Sequence, residues 1–138
     1  MEPIAELMDE HLALLDLSGV IRRAMAENDR AAAVSALARL GRSLDAHVRR
    51  EEAGVFKALK NQGDFTDEVR MLEEEHTDFD AYLAGLDPSA PNFEARVQEL
   101  LEHLSEHIDK ENLGIFPVAV VTLGATGWET VGRARAMA

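Results

Sequence analysis

Residues 103–117 read His103-Leu104-Ser105-Glu106-His107-Ile108-Asp109-Lys110-Glu111-Asn112-Leu113-Gly114-Ile115-Phe116-Pro117. The run reads as helix, and His107 and Glu111 stand at i and i+4. Residues at that spacing share a face, with Cβ atoms roughly 5–6 Å apart. An imidazole and a carboxylate so placed reach one metal ion, or the carboxylate spans two. One such pair is weak evidence, because many helices carry one. The same phrase recurs upstream, however. Leu44-Asp45-Ala46-His47-Val48-Arg49-Arg50-Glu51-Glu52-Ala53-Gly54-Val55-Phe56 shares the pattern Leu-x-x-His-x-x-x-Glu-x-x-Gly-[Val/Ile]-Phe. A second phrase is doubled as well: Leu7-Met8-Asp9-Glu10-His11 is echoed by Leu72-Glu73-Glu74-Glu75-His76. The chain is two copies of one unit, a helix with an inward His followed by a helix with His-x-x-x-Glu, and such a repeat governs how the rest is read.

The 138 residues are the length of one ordinary domain. Hydrophobic residues make up 46%, enough for a core, but aromatics only 5%, so Leu, Ala and Val must fill it. Ala and Leu favour helix, and only four prolines interrupt. The net charge of −12 argues against nucleic acid and anionic membranes as partners, and serves solubility. With no cysteine, disulfides, thiolate metal sites and cysteine nucleophiles are excluded. No signal-like leader and no apolar run of the ~20 residues needed to span a bilayer are visible, so a cytoplasmic protein is the expectation.

The periodicity predicts helices over 3–27, 30–60, 66–86 and 93–115. Ile4, Leu7, His11, Leu14, Ser18, Ile21 and Met25 form the first stripe. Val34, Leu37, Gly41, Leu44, Val48, Glu51 and Val55 form the second. Phe65, Val69, Leu72, His76, Phe79, Leu83 and Leu86 form the third. Phe93, Val97, Leu100, Leu104, His107, Glu111 and Ile115 form the fourth. Asp29, Thr66 and Asn92 are the expected N-caps and Gly63 a C-cap. Pro117 is expected to end or kink the fourth helix. Residues 118–124 should pack on the bundle end, and the capping-box pattern Thr126-Gly127-Trp128-Glu129 predicts a short helix over 127–136, with Trp128 a packing anchor. The expected fold is all-α: an up-down-up-down four-helix bundle over 1–124, then a short C-terminal helix within 125–138. His11 and His47 fall at similar depth. His76 and His107 are offset by about one helical turn at ~1.5 Å per residue, which loop geometry must absorb.

A buried carboxylate without a partner costs several kcal/mol or shifts its pKa until neutral. Glu51 and Glu111 both lie on inward stripes, and His11, His47, His76 and His107 accompany them, one per helix. Hydrogen bonding among the six is one account, but it requires the same coincidence in both repeats. Four imidazoles and two carboxylates suit iron, manganese or zinc better than magnesium or calcium. Two carboxylates able to bridge point to a metal pair. The Glu-x-x-His pattern of ferritin-like bundles is absent.

The motifs Asp9-Glu10-His11, His47 to Glu52 with Phe56, Glu75-His76, and His107 to Glu111 with Phe116-Pro117 resemble those of the hemerythrin family, in particular bacterial His-His-Glu (HHE) cation-binding domains. The resemblance covers residues 3–117. It implies two iron ions, joined by an oxo or hydroxo bridge, with Glu51 and Glu111 spanning them. His11 and His47 would hold one iron, His76 and His107 the other. It further implies dioxygen or another small diatomic or peroxide ligand at the open position. The chain departs from the oxygen carriers of that family in lacking a second third-helix His: the positions four from His76 are Leu72 and Asp80. Its fourth helix also carries Glu111 four residues after His107, where those carriers place an Asp at five. His103, one turn before His107, is the candidate for the missing ligand; the alternative is a solvent-facing residue beside Leu104. Asp80, Glu75 and water are weaker candidates. Leu14, Leu44, Val48, Leu104 and Ile108 are available to line an apolar pocket. The expected function is dioxygen binding for storage, delivery or sensing, with no separate catalytic residue. The alternatives are a di-iron enzyme acting on peroxide or nitric oxide, and an iron or redox sensor. The oligomeric state is left open.

Overall fold

The computed structural model describes residues 2–135. Met1 and residues 136–138, which include the end of the expected C-terminal helix, lie outside the described residues. Among the described residues the chain is helical and has no strand: α1 Glu2–Ala26, α2 Arg30–Glu51, α3 Lys57–Gln62, α4 Thr66–Ala84, α5 Phe93–Lys110, α6 Phe116–Thr122 and α7 Ala125–Ala134. A π-helical turn, Glu52–Phe56, joins α2 to α3, and a second, Glu111–Ile115, joins α5 to α6. The long helices pack in a ring, α1 on α2, α2 on α4, α4 on α5 and α5 on α1. Among the described residues no helix is long and apolar enough to cross a membrane.

Each helix buries the stripe its periodicity sets. α1 buries Ile4, Leu7, His11, Leu14, Ser18 and Ile21, and Ser18 satisfies its hydroxyl on the Leu14 carbonyl at 3.1 Å. Asp29 caps α2 by accepting from the Ala32 amide at 3.1 Å, and Gly63 ends α3 in the left-handed region at φ 77. Four expectations fail locally. Thr66 is the first helical residue and not a cap; Phe65 holds that place at φ 55, half exposed and off the stripe. Asn92 sits at the cap position of α5, but its side chain bonds no amide. Val34 faces outward, because Ala33, Ala36 and Leu37 take the inner face of α2. The capping box at Thr126 does not form: α7 starts at Ala125, two residues earlier than expected, with the extended backbone of Gly124 at the cap position.

Pro117 does not end the helix. The π-turn before it inserts one extra residue and shifts the backbone pairing, with the Phe116 N–H reaching back to the Glu111 carbonyl. Pro117 sits in the first turn of α6 that follows, a position that tolerates proline. The same turn changes which faces point inward. On an unbroken helix Phe56 would stand about 140° around from Glu51. With the inserted residue, Glu51, Val55 and Phe56 are all fully buried. Phe116 follows Glu111 inward in the same way.

The core is two apolar layers with a polar layer between. One layer holds Leu7, Val55, Phe56, Leu59, Leu72, Ile115 and Phe116, with Trp128 packed against it. The other holds Leu14, Leu40, Leu44, Phe79, Phe93, Leu104 and Ile108. His11, His47 with Glu51, His76, and His107 with Glu111 fall between these sets along their own helices. The depth offset on the third and fourth long helices is taken up by the connection 85–92. α5 starts beyond the end of α4, level with the α1–α2 turn, where Arg30 lies over the Phe93 ring at 5.5 Å and donates to the Pro88 carbonyl.

α7 seats on the first π-turn. A Cβ at Gly54 would meet Ala134 Cβ at 3.0 Å and the Val131 Cα at 3.6 Å, whereas Gly114, its partner in the repeat, has nothing within 4 Å. Gly54→Val is therefore expected to destabilise by about 1–3 kcal/mol through overpacking. Gly114→Ala should be neutral or stabilise by up to about 1 kcal/mol. Urea unfolding of the two variants checks this; equal responses would mean that α7 does not rest on Gly54.

Candidate metal centre

The inward stripes of the four long helices bring His11, His47, Glu51, His76, His107 and Glu111 into one buried layer. Each is at most 7% exposed, and the two glutamates are at 0%. Two overlapping donor groups result. His11, His47, Glu51 and Glu111 present atoms within 4.8 Å of one another, and so do Glu51, His76, His107 and Glu111. Both glutamates belong to both groups.

Every imidazole is oriented from behind. His47 Nδ1–H donates to Glu10 at 2.7 Å and His107 Nδ1–H to Glu75 at 2.6 Å. His11 Nδ1–H donates to Asn112 Oδ1 at 2.8 Å and His76 Nδ1–H to Glu52 at 2.9 Å. Arg50 pairs with Glu10 at 2.8 Å, and Lys110 with Glu75 at 2.6 Å. Phe56 stacks on His76 with 5.7 Å between centroids, and Phe116 on His11 with 5.4 Å. Phe79 meets His107 edge-on at 5.3 Å. With Nδ1–H committed outward, each ring turns Nε2 to the centre, the tautomer and aim that cation binding requires.

At the centre, His11 Nε2 lies 2.8 Å from Glu111, His76 Nε2 3.0 Å from Glu51, His47 Nε2 3.1 Å from Glu51 and His107 Nε2 3.2 Å from Glu111. These are ion pairs when the imidazoles carry a second proton, and unsatisfied approaches of two acceptors when they do not. His76 and His107 face each other Nε2 to Nε2 at 3.1 Å, so at most one proton lies on that line. Burial alone would push the imidazoles down, but the carboxylates more than reverse it. Glu111 and Glu51 raise His11 to about 10, and Glu10 and Glu51 raise His47 to about 9. Glu111, Glu51 and Glu52 raise His76 to about 11. Burial would raise Glu51, but His11, His47 and His76 hold it well below the ordinary carboxylate range.

The residues present fit a pair of cations. With the imidazoles neutral and Nδ1–H turned outward, His11 Nε2, Glu51 Oε1 and both Glu111 carboxylate oxygens are buried acceptors facing one another with no donor between them, although His11 Nε2 and Glu111 lie only 2.8 Å apart. Buried polar atoms left without partners are costly, and these four converge on the shared centre of both donor groups. A cation pair would satisfy them all, and nitrogen with carboxylate oxygen suits iron, manganese or zinc.

The structure does not bring His103 to this layer. It is exposed and lines an outer groove with Glu75, Asp78, Tyr82 and Glu106. Asp80 is exposed too, Glu75 is engaged behind His107, and Leu72 is buried among apolar neighbours. His103→Ala is therefore expected to leave metal content unchanged and stability within about 0.5 kcal/mol. Loss of one metal ion per chain, read by elemental analysis, would return His103 to the ligand set. Val48, expected in the pocket lining, is only partly buried, while Leu14, Leu44, Leu104 and Ile108 lie in the apolar layer.

The sequence reading gives Glu10, Glu52 and Asn112 no role of their own and Glu75 only that of a weak ligand candidate, whereas all four stand behind the imidazoles. The signal was there in part. Glu precedes His at both 10–11 and 75–76, and positions 52 and 112 each follow an inward glutamate.

A family model described as the hemerythrin HHE cation binding domain matches residues 2–119. No curated protein and no solved structure matches the chain.

Proposed function

The chain belongs to the hemerythrin HHE cation-binding domain family, and on that premise we propose that it is a non-haem di-iron protein that binds dioxygen for storage, delivery or sensing. The single observation that carries this reading is the sharing of Glu51 and Glu111 between the two donor groups. In this reading His11 and His47 would hold one iron, His76 and His107 the other, and Glu51 and Glu111 would contribute to both. His103 takes no part. When bound in the ferrous state, the pair supplies electrons that dioxygen can take up reversibly.

The rest is the work of the chain. Glu10, Glu52, Glu75 and Asn112 hold the Nδ1 protons outward and fix ring aim. Phe56 and Phe116 cover two imidazole faces and, with the apolar layers above and below, exclude water from the centre. The ring of long helices is read as the up-down-up-down bundle, formed by residues 1–124. The helix beginning at Ala125 is read as an appended piece that closes the end of the bundle next to Gly54.

The test is metal content with an optical spectrum of protein reduced without oxygen and then exposed to it. About two irons per chain and an absorption band that appears on exposure and fades under vacuum is the expected result. Irreversible oxidation to ferric iron would overturn reversible binding. One observation favours a second reading, an enzyme acting on peroxide or nitric oxide. Of the two positions four residues from His76, Leu72 is buried and apolar and Asp80 is exposed, so neither adds a ligand to the two donor groups found among the described residues, which would leave room for a substrate. Turnover of either compound by the iron-loaded protein, lost in Glu51→Ala, would move the reading there.

A further inference from the structure

We infer that Glu52 makes the two halves of the centre unequal, so that the His76–His107 half takes up the first divalent cation and binds it more tightly. This rests on the two-ion reading above. The repeat supplies an internal control. His47 corresponds to His107, Glu51 to Glu111, His11 to His76, Glu10 to Glu75, Arg50 to Lys110 and Phe56 to Phe116. Across these pairs the geometry repeats within a few tenths of an ångström: Nδ1 to the outer glutamate is 2.7 and 2.6 Å, and that glutamate to its cation 2.8 and 2.6 Å.

One corresponding pair differs in charge. The acceptor behind His76 is the Glu52 carboxylate at 2.9 Å, and the acceptor behind His11 is the Asn112 amide oxygen at 2.8 Å. The two bonds have nearly the same length, so ring aim is matched and charge is not. A carboxylate behind an imidazole N–H makes the opposite nitrogen a stronger donor than an amide does, and it places a full negative charge near any ion held there. The His76–His107 half thus has a carboxylate behind both rings, Glu52 and Glu75, and the His11–His47 half has one, Glu10. Glu51 and Glu111 are common to both halves and cannot discriminate. Glu52 and His76 also line an outer groove of about 190 Å³ with Asp45, Arg49, Thr77 and Asp80, so the Glu52 carboxylate stands on the solvent side of the His76 ring.

The test is stepwise addition of Co²⁺ to the metal-free protein, followed by visible absorption and by the paramagnetically shifted histidine N–H proton resonances. The resonances are assigned by their loss in His76→Gln and His11→Gln. The first equivalent should shift the His76 and His107 resonances and the second those of His11 and His47, with affinities separated by about 10–100-fold. Glu52→Gln and Asn112→Asp are isosteric and should each remove most of that separation. The double variant Glu52→Gln/Asn112→Asp should reverse the order of filling. Equal filling in the wild type, or an unchanged order in the double variant, would overturn the inference and leave the two-ion reading standing. Fewer than two Co²⁺ per chain would overturn both.

Discussion

Glu51→Ala is expected to abolish binding of both metal ions, whereas His47→Ala should abolish or weaken only one. The asymmetry follows from membership: Glu51 lies in both donor groups and His47 in one. Glu51 is fully buried and approaches His47 at 3.1 Å and His76 at 3.0 Å, imidazoles from opposite halves. Its removal takes a donor from each half and leaves those imidazoles without one of the carboxylates that raise them, Glu10 remaining for His47 and Glu111 for His76. The loss should exceed the about 10–100-fold that an outer hydrogen-bond partner is worth. Elemental analysis after dialysis should therefore give near zero metal per chain for Glu51→Ala and about one for His47→Ala. One ion retained by Glu51→Ala would mean that the glutamates do not span the two positions. Circular dichroism separates loss of metal from loss of fold.

Removing metal from the loaded protein should lower its melting temperature, and the drop should grow as pH rises from 6 to 8.5. Ligands that bind only the folded chain stabilise by about 4 kcal/mol at a thousand times their dissociation constant, which for a domain of this size is roughly 10–20 °C. The pH dependence comes from protons. In the metal-free chain His11, His47 and His76 have folded pKa values of about 10, 9 and 11, above the ordinary 6.5. A raised pKa stabilises fully below the unfolded value and is lost as pH climbs through the folded one. Glu51 is shifted the other way, so its contribution is present above the ordinary 4.5 and lost as pH falls below that. These groups together make the metal-free protein most stable between about 4.5 and 6.5 and weaken it above. Cations compete with the same imidazole protons, so their contribution increases over the range in which the metal-free chain loses its own. Melting curves with and without chelator at the two pH values check this. A pH-independent difference would show that metal does not displace these protons.

Much of this was open to reading in one dimension. Helical periods of apolar residues located the starts of the four long helices to within one residue, because burial of one stripe is what makes such a segment helical at all, but the expected helices 30–60 and 93–115 ran through the π-turns that begin at Glu52 and Glu111. The doubled His-x-x-x-Glu phrase marked out four residues of the central layer and the doubled Glu-His phrase the other two, His11 and His76, because polar side chains on an otherwise apolar stripe cannot turn to water without unpacking it. The caps were less legible. Asp29 caps as its type suggests, but Phe65 displaced Thr66, and Gly124 started α7 ahead of Thr126. Cap position depends on where the chain must bend to meet its neighbours, and local composition does not contain that.

What the sequence by itself determined was the set of helices, the inward placement of His11, His47, Glu51, His76, His107 and Glu111, and a donor chemistry of imidazole and carboxylate. Only the tertiary structure decided that His103 faces outward, since a residue one turn from the stripe is sorted by small rotations that packing sets. Only the tertiary structure placed the π-turns that bring Phe56 and Phe116 onto the imidazole faces, because one inserted residue re-aims everything after it. And only there do Glu52 and Asn112 come to stand behind His76 and His11. Those contacts join residues distant in the chain, and sequence patterns are sensitive to faces of a single helix, not to which face of another helix will meet them.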